Sequence, residues 1–220
     1  MRLQSAMVLA TLLVPAMASA QQVREARVEV DGGLHWSGPI TFAGVNANEI
    51  SFGGAPRTVF ESSSTLEASP GVEARIGVRL TSILQVESSV AWGKTDLATH
   101  ITADQEAADA TITEPVTQYL IEAGLLARLG HWRVGRVSPF AVAGVGYGRQ
   151  LHDGQTLVET GLASYVGGGL HYWLKTGGKR RLKAAGIRAE VRGTLIKDGL
   201  TLDGATHLMP VLGATLFFRF

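Results

Sequence analysis

Leu208-Met209-Pro210-Val211-Leu212-Gly213-Ala214-Thr215-Leu216-Phe217-Phe218-Arg219-Phe220, the last thirteen residues, alternate large apolar groups with smaller or polar ones and end on an aromatic. On a ribbon of period two, Leu208, Pro210, Leu212, Ala214, Leu216, Phe218 and Phe220 fall on one side. Met209, Val211, Gly213, Thr215, Phe217 and Arg219 fall on the other. A strand that ends a chain must find a partner along both edges or leave backbone groups bare. Inside a bilayer, the only strand architecture that satisfies all of those groups is a closed barrel. This stretch therefore predicts place and architecture, and says little about biochemical activity.

The opposite end reads as an address. Arg2 is its sole charge, Ala6 to Ala18 form a short apolar core broken by Pro15, and Ala18-Ser19-Ala20 supplies a small-residue cleavage pattern. Residues 1–20 are read as a cleaved signal peptide and 21–220 as one outer-membrane barrel domain. The apolar core is shorter than the roughly 20 residues a spanning helix needs, and Gln21, Gln22, Arg24 and Glu25 follow it directly. The chain has no cysteine, which excludes a lipid anchor at the cut, disulfides and thiolate metal sites. Without Arg2, the 20 Lys and Arg become 19, against 19 Asp and Glu. A neutral mature chain lacks the basic footprint of a nucleic-acid-binding protein. No mature segment is apolar for long enough to cross as a helix, so any crossing is made by strands.

Eight period-two segments recur between stretches rich in Gly, Ser, Thr, Asn and Asp. The first, Arg24 to Trp36, sets Val28, Val30, Leu34 and Trp36 against Arg27, Glu29, Asp31 and His35. The cleanest, Gly71 to Leu80, sets Val72, Ala74, Ile76, Val78 and Leu80 against Glu73, Arg75, Gly77 and Arg79. Segments at Ile83 to Gly93, Val116 to Leu129 and around Ile187 to Leu195 repeat the pattern, with Glu87, Glu122, Arg128, Arg188, Glu190 and Arg192 on their polar sides. Those at Pro139 to Arg149 and Leu162 to Leu174 are dominated by Gly, Ala, Val and Tyr, which leaves their facing open.

A soluble lipocalin-like barrel alternates too, with its apolar side turned inward. Three features favour the inverted arrangement. Charges of both signs recur at matching depth: Arg27, Glu29, Glu73, Arg75, Arg79, Glu87, Glu122, Arg128, Arg188, Glu190, Arg192 and Arg219. Eight strands leave an interior that side chains fill, so paired Arg and Glu form a plug rather than a channel. Trp36, Trp92, Tyr119, Tyr172, Trp173, Phe218 and Phe220 fall near strand ends, where aromatic rings favour a membrane interface. Links at Thr81-Ser82 and Gly130 to Val137 are short, whereas Ser37 to Pro70 and Lys94 to Pro115 are long, which matches periplasmic turns and outer loops. The third inner turn, Lys175 to Gly186, departs from this by being as long as the remaining outer loops.

The signal segment, the eight alternating segments and terminal Phe220 together resemble the small outer-membrane β-barrel family of Gram-negative bacteria, over essentially the whole mature chain. The resemblance implies an all-β, eight-stranded antiparallel up-and-down transmembrane barrel. It also implies that Leu216, Phe218 and Phe220 are read as an insertion signal by the barrel-assembly machinery. Members serve as envelope-stabilising proteins, adhesins, complement-evasion proteins or narrow pores, and a few modify lipids.

Catalysis has little support. His35-Trp36-Ser37 has the His-x-Ser spacing of outer-membrane lipid A deacylases, and residues two apart on a strand share a side, so His35 would serve as base to Ser37. In that family the motif lies late in the barrel with a glutamate close behind; here it ends the first strand, and Glu49 sits in a long loop. A Gly-x-Ser-x-Gly elbow is absent. His100, His131, His152, His171 and His207 are scattered singly, so no metal site, catalytic set or cofactor is expected. The second outer loop gathers Asp96, Asp104, Glu106, Asp109 and Glu114, a place for divalent cations bridging lipopolysaccharide, for a basic partner, or simply for water. The third inner turn carries Lys175, Lys179, Arg180, Arg181 and Lys183, facing anionic head groups, periplasmic polymers or solvent. The first loop, with Phe42, Ile50, Phe52, Val59 and Phe60, extends the first two strands beyond the membrane as a hairpin, whose aromatics either meet a host or envelope partner or pack over the mouth.

The reading is therefore an outer-membrane barrel, plugged by charge, with a structural or surface-interaction role and no enzymatic one. Its partners are outer-membrane lipid and lipopolysaccharide, the assembly machinery, and a surface ligand reached through the loops, with no nucleic acid. A narrow porin is the alternative, ahead of a lipid A-modifying enzyme or a soluble periplasmic barrel.

Overall fold

The computed structural model describes residues 27–49, 57–103, 107–152, 158–177, 181–197 and 204–220; the signal segment lies outside them. Eleven strands form one antiparallel sheet: β1 Val28–Ser37, β2 Ile40–Thr41, β3 Val45–Glu49, β4 Arg57–Leu66, β5 Ser69–Arg79, β6 Leu84–Thr102, β7 Ala110–Arg128, β8 Val137–Leu151, β9 Val158–Thr176, β10 Ala184–Lys197 and β11 His207–Arg219. Eight of these, β1 and β5 to β11, pair in chain order, and β1 pairs with β11, as in Val30↔Phe218, to close the ring. Closure leaves no open edge in the spanning region, which hydrocarbon requires. No described helix is long and apolar enough to cross a membrane.

Polarity is inverted relative to a soluble barrel. The outward residues Ile76, Val191 and Leu216 are 53%, 56% and 51% exposed, whereas Glu29, Glu122 and Arg188 on inward positions are at most 2% exposed. On β6 the alternation runs unbroken from Leu84 to Leu97. The first inner turn is built by Thr81, whose Oγ1 accepts from the backbone N–H groups of Ile83 (3.2 Å) and Leu84 (2.9 Å).

The strands overrun the sequence boundaries on the outer side. β6 and β7 stay paired as far as Ile101↔Ala110, which shrinks the long second loop to a short tip and places Asp96 and Glu114 on strands. Thr95, Thr99, Thr102, Thr111 and Thr113 suit extended backbone, but beyond the hydrocarbon both faces meet water and the apolar alternation that marks a strand fades. The first loop forms a hairpin and also packs over the mouth. β3 and β4 pair as a hairpin, β4 pairs with the upper part of β6, and Ile40 and Phe42 are buried at the mouth. Ile50 and Phe52 lie outside the described residues.

The glycine-rich strands now have a facing. Phe140, Val142 and Tyr165 are buried inward, whereas Val145, Tyr147 and Val166 face out. A Cβ at Gly144 would lie 2.6 Å from the Tyr165 phenol oxygen, and one at Gly169 would lie 2.6 Å from Phe140 Cζ. These glycines hollow the lumen around large rings. Trp173, expected at the membrane interface, corrects that reading: it shares the inward parity of His171, packs edge-on to Phe217 with ring centres 5.0 Å apart, and lies under the Arg219 guanidinium at 4.2 Å.

Candidate functional site: the barrel interior

Parity along each strand brings the charged side chains into one column. Among the described residues the lumen holds the carboxylates of Glu29, Asp31, Glu73, Glu87, Glu122 and Glu190, and the guanidiniums of Arg75, Arg79, Arg128, Arg188, Arg192 and Arg219. Six against six leaves no net charge, which makes burial of so many ions tolerable.

Arg188 on β10 lies at the centre. It donates from Nη1 and Nη2 to both carboxylate oxygens of Glu87 on β6, at 2.7 and 3.0 Å, and from Nε to Glu190 at 2.9 Å; Asp31 is 3.4 Å away. β6 and β10 are opposite each other in the ring, so this bidentate pair spans the whole lumen. Above it, Arg75 donates to Glu190 at 3.0 Å and pairs closely with Glu73, while Arg192 meets Glu122 at 2.8 Å. Ser89 donates to the same Glu122 carboxylate at 3.0 Å. Below it, Glu29 pairs closely with Arg219, accepts from Gln85 Nε2 at 3.0 Å and lies 3.8 Å from Arg128. Aromatic rings separate the layers, with Arg188 over Phe140 at 4.6 Å and Arg192 over Tyr165 at 5.0 Å.

Arg27 is a correction to the expected set. It precedes the first strand residue, Val28, and is exposed at the lower rim, where the Arg79 backbone N–H donates to its carbonyl at 2.8 Å. Arg79 itself is half-buried. Asp31, Gln85, His171, Phe140 and Tyr165 belong to the interior but were not among the expected site residues. Asp31 and Gln85 carried a usable signal, since they share parity with Glu29 and Glu87; His171 and the rings sit on glycine-rich strands without a readable face.

The outer half of the lumen is closed differently. Ile40, Phe42, Leu66, Leu97, Val116, Ile196, Met209 and Val211 form a buried apolar cluster at the mouth. Between cluster and plug remains a cavity of about 40 Å³, lined in part by His35, Ser37, Gln118, Gln150 and Thr194. That is room for only a few water molecules. His35 and Ser37 both line this space, and Glu49 lies in register with Arg57 on the β3–β4 hairpin.

Outside the lumen, His152 at the outer rim is 4% exposed and directs Nδ1 to Glu114 (3.1 Å) and Nε2 to Glu159 (3.3 Å). Residues 38 and 7 positions apart in sequence meet there, which no local pattern announces. Asp109 is exposed, while Asp104, Glu106, Lys179 and Arg180 lie outside the described residues. No described group of three or more His, Asp or Glu is arranged to hold a metal ion. Leu216, Phe218 and Phe220 stand in a row on the outer face of the last strand, 42% to 51% exposed.

Among solved structures, the outer membrane protein OprG from Pseudomonas aeruginosa aligns with TM-score 0.52 and 13% identity, covering 89% of this chain and 97% of that one. Ail, the attachment invasion locus protein of Yersinia pestis, aligns with TM-score 0.45 and 12% identity over 89% and 99%, and the Escherichia coli outer membrane protease OmpT with TM-score 0.37 and 7% identity over 92% and 99%. No curated protein sequence matches significantly. The OprG alignment matches the fold described above. A family model described as the outer membrane protein beta-barrel domain matches residues 6–208, and on that match the chain belongs to this family of outer-membrane barrels.

Proposed function

We propose that this outer-membrane barrel is a sealed wall element whose work is structural and interactive, done by its lipid-facing surface and its outer hairpins, with no catalytic role. The observation that carries this reading is the cross-lumen Arg188–Glu87 pair, flanked by Arg75–Glu190 and Arg192–Glu122 and topped by the apolar cluster at the mouth. Side chains from opposite walls meet where a pore would need an opening. Val45 on the hairpin and Ile112 on β7 are 65% and 58% exposed above the membrane, apolar points through which a surface ligand would dock. Lipopolysaccharide and phospholipid are the other partners, with export through residues 1–20 and insertion by the assembly machinery acting on Leu216, Phe218 and Phe220.

Planar-bilayer recording tests the seal. The wild-type protein is expected to insert without steady conductance, while heat-modifiable gel mobility reports that it is folded. Stepwise channels from the unaltered protein would establish the narrow-pore alternative instead. Mass spectrometry of lipid A from expressing cells is expected to show no change; loss of an acyl chain that depends on His35 and Ser37 would overturn the non-catalytic reading.

A further inference from the structure

The lower end of the barrel carries a groove of about 290 Å³ lined by Arg133, Arg136, Trp173, Leu174, Lys175 and Thr176. Two separate segments build it, the turn between β7 and β8 and the end of β9. Their ladder continues one step past Val137↔Tyr172, where the Trp173 N–H donates to the Arg136 carbonyl at 2.9 Å. Gly135, at φ 57°, turns the chain, and Arg133 Nε donates to its carbonyl at 3.2 Å, which orients that guanidinium. Trp173 is held in turn by its Nε1–H, which donates to Ser138 Oγ at 2.9 Å.

Charge at this end is unbalanced. Arg27, Arg133, Arg136, Lys175 and Arg181 are exposed here, whereas the exposed Asp and Glu side chains among the described residues, Glu61, Glu67, Asp96 and Asp109, all lie at the opposite end. Glu29, the acidic side chain of β1 nearest this rim, is buried against Arg219. The outward neighbours of the groove are apolar or amphipathic: Tyr172 is 43% and Leu174 53% exposed on the lipid side.

From this geometry we propose that the groove is a binding site for the phosphodiester of an anionic glycerophospholipid in the inner leaflet of the outer membrane. Two guanidiniums offer planar forks that match phosphate oxygens, and the lysine adds a point charge. The space holds several water-sized volumes of about 30 Å³ each, enough for a phosphodiester. Leu174 and Tyr172 place acyl chains directly alongside, so the anion arrives on a lipid rather than free in solution. The site is independent of whether the lumen conducts.

The test uses the full folded protein in phosphatidylcholine bicelles doped with phosphatidylglycerol, read by native mass spectrometry of retained lipid. Wild type is expected to retain phosphatidylglycerol at least about tenfold more than R133Q/R136Q/K175Q, since each cation beside an anionic surface contributes roughly a factor of five. R133K/R136K is expected to keep part of the preference, and K197Q, at the other end, all of it. Heat-modifiable mobility checks that each variant is folded; should the triple variant fail, K175Q is expected to lose about fivefold by the same measure. Equal retention by wild type and variants overturns the proposal. Full displacement of phosphatidylglycerol by inorganic phosphate also overturns it, in favour of a soluble-anion site.

Discussion

Arg188 concentrates the energetics of the lumen, because Glu87, Glu190 and Asp31 all meet one guanidinium that is 1% exposed, with Arg75 a second cation for Glu87 and Glu190. Buried ion pairs add little net stability over apolar packing, but removal of one partner leaves charge stranded in a poor solvent. Arg188→Ala is therefore expected to destabilise the barrel by about 3–5 kcal/mol, measured by urea unfolding in vesicles. Adding Glu87→Gln should cost less than the two single changes summed, because the pair is coupled; strict additivity would mean that the two groups do not depend on each other. Tyr165 makes a steric counterpart. Its phenol occupies space left by Gly144, where a new Cβ would also meet the Ala123 carbonyl at 2.4 Å. Gly144→Val is expected to lower stability by about 1–3 kcal/mol through overpacking, and an unchanged unfolding midpoint would contradict this placement of the ring.

Strands contribute through their ends as much as through their spanning parts. β7, β8 and β9 are tied together above the membrane by His152 between Glu114 and Glu159. His152→Ala should unfasten the rim without opening the ring, seen as faster amide exchange near Glu114, Gln150 and Glu159 with the exchange of Gly124 and Val142 unaltered. Equal protection of the rim in both proteins would assign His152 no tethering role. On β11, alanine at Leu216, Phe218 and Phe220 together is expected to slow assembly into membranes by the purified insertion machinery, while spontaneous folding in detergent remains. Unchanged assembly would remove this row as the recognised signal.

The molecule as a whole is an inside-out barrel: ions within, apolar groups against lipid, exposed acidic side chains at the outer end beside cations such as Lys94 and Lys197, and a cluster of exposed cations at the inner end. Val191 faces lipid at 56% exposure, and arginine there should cost about 2–4 kcal/mol near the midplane, read from unfolding in vesicles. A cost near zero would place this wall in water. Much of this arrangement was legible from the residues. In β5, β6, β10 and β11 the period of two displays facing directly, because one side must satisfy hydrocarbon and the other must hide charge. β8 and β9 gave no such display, since glycine and alanine satisfy either side, and their facing depends on where Tyr165 and Phe140 find room. Pattern along a strand is local and survives in one dimension. Which carboxylate meets Arg188, that Ile40 and Phe42 cover the mouth, and that Trp173 turns inward follow from ring closure, which sets groups from distant segments face to face.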